Sequence, residues 1–408
     1  MPVRRIAAAY RAAFSGLPRE VWLLALGCLV NRAGTMVLPF LSLYLTVRLH
    51  FTVAEAGLVL GLWGVGSMVG SYLGGRLTDR VGPLAVQLAS LLGVGAGFLV
   101  LSRVETHAAV AVTVLAVSTV GDAFRPALMV GATRFAPVAV RTRALALVRL
   151  ATNLGMAIGP ALGGVLAARH YTWLFVGDAL TCWAATAVLW LTLRHARPDG
   201  ETATAGRRAA ARSPWRDRPF LAFLVLVVGW GVVFMQIWST LPLYWRLHYG
   251  LGEGAIGLLL AFNPAIIVLF EMVLLHAIEH LNPLRVVAVG TALLGLGFAA
   301  TPLGRGAAYA FATVAVWTLG EMLSLPLTNA VAGHRAPASQ SGAYMGAYTL
   351  AFSIALVLGP TTGTAVFQAF GGDVLWLAAG AAAACLALAY WLLAPHLDRE
   401  APGSAAAE

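Results

Sequence analysis

The chain contains no lysine. Of its 408 residues, 27 are basic and 17 acidic, and every basic one is arginine. Charged residues amount to only 11%, against 60% apolar. An ordinary soluble domain carries about a quarter of its residues charged, so that class is excluded. Cysteine is scarce too. Cys28, Cys182 and Cys385 each fall inside an apolar run, which supports neither a disulfide framework nor a metal site. His50, His107, His170 and His248 sit in loops and form no ligand set. No phosphate-cradling glycine loop of the ATP-binding kind is present, and no Ser/His/Asp arrangement. No catalytic residues, no metal and no cofactor are therefore expected, and an ion gradient must supply any driving force. The net charge of +10 has no soluble, aromatic-interleaved basic segment behind it, which argues against nucleic acid as a partner.

What the chain does have is long apolar runs. A bilayer span needs roughly 20 mostly apolar residues, and the sequence offers twelve such runs. They are predicted at about 22–47, 56–75, 84–102, 108–133, 144–168, 171–193, 219–245, 254–278, 284–302, 307–332, 341–369 and 374–394. Residues 1–19 read as a basic amphipathic arm at the membrane surface. Residues 194–218 hold seven arginines and read as a solvated linker, and 395–408 as a disordered tail. Between spans 2 and 3 the polar stretch from Gly75 to Pro83 is expected to be a tight turn. Nineteen arginines fall in the arm, the linker, the tail and the loops on their side. Five fall in the opposite loops, namely Arg48, Arg103, Arg169, Arg246 and Arg305. Positive charge gathers on the cytosolic side, so both termini are expected there, in a multi-pass protein of the cell (inner or plasma) membrane.

The chain then repeats itself at an offset of 200. Tyr44 meets Tyr244, Gly57 meets Gly257 and Asp79 meets Glu279. Pro83 meets Pro283, Pro126 meets Pro326, and Gly159-Pro160 meets Gly359-Pro360. Two related six-span halves, 20–193 and 219–394, would enclose a site at their interface. The expected fold is an all-α integral membrane protein, with twelve helices in two pseudo-symmetric six-helix bundles around a central cavity.

Two motifs now carry a resemblance. Gly75, Asp79, Arg80 and Gly82 are similar to the signature between spans 2 and 3 of the major facilitator superfamily. Gly155, Gly159, Pro160, Gly163 and Gly164, at the end of span 5, resemble the motif of that family's proton-driven exporters. The likeness covers about residues 20–395. Where the family usually has two basic residues after the second glycine, this chain has Pro83 and Leu84. The residues themselves suggest roles as well. Asp79 would act as a gating latch. Gly155, Gly159 and Gly163, four apart, form a smooth face for close helix contact, and Pro160 frees the carbonyl of Met156 and can kink the span.

The resemblance implies that spans 1, 4, 7 and 10 line the cavity. Arg32, Asp122, Arg125 and Glu321 lie on those spans, with Gln236 and Trp238. Ionisable groups within a membrane are expensive and usually functional. Asp122 and Arg125, three apart, share a helix face. Asp122 is expected to be an ion-pair switch or a permanent bridge to Arg125 or Arg32. Glu321, with no cation near it in sequence, is the expected proton carrier. Glu271 reads as a buried pair or an auxiliary acid, and Asp178 as a structural cap or a surface pair. The leading expectation is a monomeric proton-coupled exporter of a small lipophilic molecule, with membrane lipid as its other partner. The second is a symporter importing an anionic or polar solute, clamped by Arg32 and Arg125. A non-transporting membrane sensor is the third.

Overall fold

A computed structural model describes residues 16–137, 140–196, 214–337 and 340–399. The amphipathic arm up to residue 15, the linker from 197 to 213 and the tail beyond 399 lie outside the described residues. Twelve helices are long and apolar enough to cross a membrane. In order they are Arg19–Arg48, Val53–Val81, Pro83–Leu101, His107–Arg134, Arg141–Arg169, Thr172–Leu193, Arg218–Ser239, Glu253–Ala277, Pro283–Leu303, Ala307–Arg335, Gly342–Phe370 and Gly372–Leu397; we call them spans 1 to 12. No strand occurs among the described residues.

Two sequence expectations are corrected. Gly75, Asp79 and Arg80 do not form a turn, because span 2 stays helical to Val81. No proline falls between Leu73 and Val81, and the polar residues carry the helix beyond the apolar run despite Gly74 and Gly75. The reversal falls on Gly82 alone, at φ 87°, a conformation that favours glycine. Span 12 does not stop at Pro395 either; its helix continues to Arg399 with the proline inside.

The chain divides into two compact units, Met1–Val37 with Val65–Thr204, and Leu38–Gly64 with Ala205–Glu408. The division differs from a cut at the linker, since residues 38–64 belong to the second unit. A glycine stripe explains the difference. A Cβ on Gly57 would meet Thr364 Oγ1, one on Gly61 would meet Thr361, and one on Gly64 would lie 2.8 Å from the Leu356 carbonyl. Without Cβ atoms, residues 57–64 of span 2 lie directly on span 11.

Within the first unit, span 1 is interrupted between Ala33 and Val37. Span 5 packs its glycine face against that interruption. A Cβ on Gly155 would stand 2.5 Å from Arg32 Cβ and 2.9 Å from the Ala33 nitrogen. One on Gly159 would stand 2.8 Å from the Thr35 carbonyl oxygen and 3.0 Å from that of Arg32. The second unit repeats this at the same offset of 200. Span 7 is interrupted at Met235, and a Cβ on Gly359 would stand 2.6 Å from Met235 Cβ and 3.2 Å from the Val232 carbonyl oxygen.

The arginine-rich ends of the two units are built differently. In the first unit Leu17, Phe135 and Val140 pack on buried Val21, Ala144 and Leu147. At the equivalent places of the second unit stand Asp217, Arg335 and Tyr344. Arg335 donates from Nε to Asp217 Oδ2 at 2.9 Å and from Nη2 to Oδ1 at 3.0 Å. Its Nη1 donates to the Leu397 carbonyl at 3.0 Å, and Tyr344 donates to Asp217 Oδ2 at 3.0 Å. Asp217 also caps span 7 by accepting from the Phe220 N–H. Burial raises the Asp217 carboxyl pKa, but the Arg335 hydrogen bond, the Phe220 N–H and the Arg335 charge together hold it below its ordinary 3.8.

Two stability predictions follow from this packing. Gly155→Ala should lower the thermal midpoint in detergent, since a packed Cβ clash costs about 1–3 kcal/mol. Gly75→Ala, with nothing within 4 Å of its Cβ, should leave the midpoint unchanged or raise it. Arg335→Leu should cost about 3 kcal/mol by leaving Asp217 half-buried and unpaired. The double change Asp217→Leu with Arg335→Phe, copying the first unit, should recover most of that loss. A depressed carboxylate stabilises above its unfolded value and ceases to as pH falls through its folded value. The wild type's advantage over Arg335→Leu should therefore be full at neutral pH and shrink only below about pH 4, as read by unfolding at a series of pH values.

Candidate transport site

In the second unit, Glu321 lies mid-span on span 10 and is buried, 7% exposed. Its Oε2 accepts from Asn263 Nδ2 of span 8 at 2.7 Å. The same amide nitrogen donates to Thr318 Oγ1 at 3.0 Å, one turn back on span 10. Asn263 is itself buried, and Thr318 fully so. Glu271, two turns further along span 8, is buried as well. The arrangement presents one amide within hydrogen-bond reach of both a carboxylate and a hydroxyl. It can hold a proton, or offer several oxygens to a small cation.

Asn263 was not among the sequence candidates. Its signal was there: a single amide within the apolar run from Leu258 to Phe270, followed by Pro264. Pro264 lacks an N–H and leaves the Leu260 carbonyl without its helical donor, which marks that turn of span 8 as irregular.

Gln236 was expected to face a cavity, and the structure corrects this. Its side chain is 3% exposed. Its Nε2 donates to the carbonyls of Val232 at 2.9 Å and Gly359 at 2.8 Å. Its Oε1 accepts from Thr240 at 3.0 Å and Ser239 at 3.4 Å. Both donors and both lone pairs are used where span 7 is interrupted and meets span 11. Trp238, two residues on, is half-buried.

In the first unit the expected bridges do not form. Asp122 is half-buried and Arg125 exposed. Among the described residues no ion pair joins Asp122 to Arg125 or to Arg32. The helix is interrupted at Ala123 between them. Pro126 has no N–H for the Asp122 carbonyl four residues back. Ser71 of span 2 approaches that carbonyl at 3.5 Å, and Ser90 of span 3 donates to the carbonyls of Val120 and Gly121 at 2.6 and 3.1 Å. Arg32 is half-buried, and its Nε has no hydrogen-bond partner among the described residues. Asp79 is exposed at the end of span 2, and no ion pair holds its carboxylate among the described residues. Arg80 is exposed beside it, while Arg76 one turn back stacks on Tyr72 at 4.4 Å.

Asp178 takes the structural role its sequence suggested. It is buried on span 6, and its Oδ2 accepts from the N–H groups of Met36 and Val37 at 3.2 Å each. These are the orphan donors where span 1 resumes after its interruption. Arg32 adds a favourable charge nearby.

These observations define a twelve-span membrane protein of two related units with a buried polar site within the second. The Major Facilitator Superfamily model matches residues 23–360, and the chain belongs to that family. It is a multi-pass membrane transporter and not an enzyme. An uncharacterized MFS-type transporter of Bacillus subtilis, YqjV, is 25% identical over 86% of this chain and 87% of its own. A Na(+), Li(+), K(+)/H(+) antiporter of Planococcus maritimus is 24% identical, covering 81% of this chain and 85% of its own. Among solved structures, the peptide transporter POT in complex with sulfate superimposes with a TM-score of 0.81. It is 16% identical and covers 96% of this chain and 97% of its own, a likeness of fold.

Asp178→Ala should lower the thermal midpoint, since two buried N–H groups lose their acceptor at about 2 kcal/mol. Asp178→Asn keeps an acceptor oxygen and should restore most of the loss. A proton-coupling role would instead make the asparagine variant as inactive as the alanine one in flux measurements.

Proposed function

We propose that this transporter exports a small lipophilic molecule in exchange for protons, with Glu321 as the group that takes up and releases the proton. The observation that carries the reading is the placement of Glu321: an acid buried mid-span, bonded by the neutral amide of Asn263. A charged carboxylate within a membrane is costly, and protonation removes that cost. Binding a proton there changes the local energy by enough to bias a two-state transporter. The direction of transport rests on the resemblance of the span 5 glycine–proline face to that of proton-driven exporters. A monomer in the cell membrane, with cytosolic termini and alternating access between its two repeats, completes the reading.

A second reading is exchange of a monovalent cation for protons. The name of the Planococcus maritimus relative favours it. So does the oxygen chemistry of Glu321, Thr318 and Asn263, which suits a hard cation as well as a proton.

Proteoliposomes with a trapped pH dye separate the two. Adding a lipophilic cation to acid-loaded vesicles should release protons through the wild type and not through Glu321→Gln. Undiminished release by Glu321→Gln would remove the carrier role. Proton release on adding sodium, lithium or potassium, with none from the lipophilic compound, would favour the second reading.

A further inference from the structure

A cavity of about 160 Å³ opens at the arginine-rich end of the first unit. Three elements meet there: Gly82 to Ala85 at the start of span 3, Arg134 at the end of span 4, and Arg194 just after span 6. Among the described residues no acidic one lines it. Two arginines, one at the end of span 4 and one just after span 6, therefore line one small hollow, and neither has an ion pair among the described residues.

The repeat shows what chemistry belongs at its floor. In the second unit, at the same offset of 200, Asn282 Oδ1 accepts from the N–H groups of Leu284 and Arg285, each at 3.1 Å. In the first unit the capping position is Gly82. No side chain caps that helix, and no acceptor meets the N–H groups of Leu84 and Ala85 among the described residues. One half supplies its own oxygen to this helix start; the other presents a hollow flanked by two arginines. Arg194 lies over the Trp190 ring at 5.8 Å, and Trp190, Leu191 and Val81 are exposed apolar surface beside the hollow. Tryptophan and arginine at a helix end mark the headgroup level of a bilayer. Basic pockets between spans on the arginine-rich side suit anionic headgroups.

We propose that this hollow binds the phosphate of an anionic phospholipid, between Arg134 and Arg194 and over the Leu84 and Ala85 N–H groups. The acyl chains then lie along the exposed apolar flank of spans 2 and 6. The lipid supplies the cap that Asn282 supplies in the other half, and its release loosens the junction of spans 2 and 3.

The test uses the full chain purified in neutral detergent. Thermal midpoints are compared after adding phosphatidylglycerol or phosphatidylcholine at equal mole fraction, and native mass spectrometry counts the lipids retained. The wild type should be raised by phosphatidylglycerol and not by phosphatidylcholine. Arg134→Gln with Arg194→Gln should lose most of that gain and retain one phosphatidylglycerol fewer. Arg285→Gln, on the capped helix of the other half, should keep it. Should the double variant not fold, each single variant should lose part of the gain. A full gain in the arginine variants, or an equal loss in Arg285→Gln, overturns the site. A gain reproduced by inorganic phosphate at matched concentration overturns the lipid as its occupant.

Discussion

A membrane offers no water to an unpaired backbone group, and the interrupted spans of this chain are arranged around that constraint. Span 1 breaks between Ala33 and Val37, and span 7 at Met235. Each break exposes N–H and carbonyl groups that a continuous helix would have paired. The first unit answers with a carboxylate, Asp178, on the N–H groups of Met36 and Val37. The second answers with an amide, Gln236, whose donors reach the carbonyls of Val232 and Gly359. In both units a glycine of the neighbouring span, Gly159 or Gly359, closes on the break too tightly for any Cβ. The glycine–proline motif is thus the surface that seals an irregular helix.

The two halves share backbone geometry more faithfully than side-chain chemistry. Gly159 meets residues 32 and 35, and Gly359 meets 232 and 235, in one register. Around that shared frame the same problem is solved by different groups. The arginine-rich end of one unit is closed by Leu17 and Phe135, that of the other by Asp217 and Arg335. An apolar contact tolerates sliding, whereas a forked ion pair fixes distance and angle. The second unit is the more exactly held at that end, and the more sensitive to loss of a single partner.

Much of the fold was legible from residues alone. Hydropathy placed span 4 at about 108–133, and the helix runs His107–Arg134; the other spans fall within three residues at each end, except the ends of spans 2 and 7. The polar residues at that end of span 2 suggest a turn, although the helix runs through them to Val81 and reverses only at Gly82. The site was less legible. Helical spacing put Asp122 and Arg125 on one face, but Pro126 disrupts the helix between them. Gln236 looked like a cavity residue because its partner, the Gly359 carbonyl, is remote in sequence. Asn263 was overlooked for the same reason, since Glu321 lies 58 residues away. The stripe of Gly57, Gly61 and Gly64 belongs here too, because its counterpart on span 11 is about 300 residues distant. Patterns that repeat along one helix were readable. Those completed by a second helix were not.

The buried charges differ in how freely they could take part in transport. Asp178 is tied to two backbone N–H groups, so loss of its acceptor oxygen or its position would reopen the break in span 1. Asp217 is fixed by Arg335, Tyr344 and the start of span 7. Either would strain the unit that holds it if it changed state in each cycle. Glu321 is bonded by an amide that also serves Thr318. An amide side chain can turn to offer an oxygen in place of its nitrogen, so it can follow the carboxyl through both protonation states with the backbone unmoved. A coupling group needs neighbours that accommodate both of its states. Asn263 can do so for Glu321 by turning, whereas a guanidinium, having only donors, cannot accept the proton of a neutral acid.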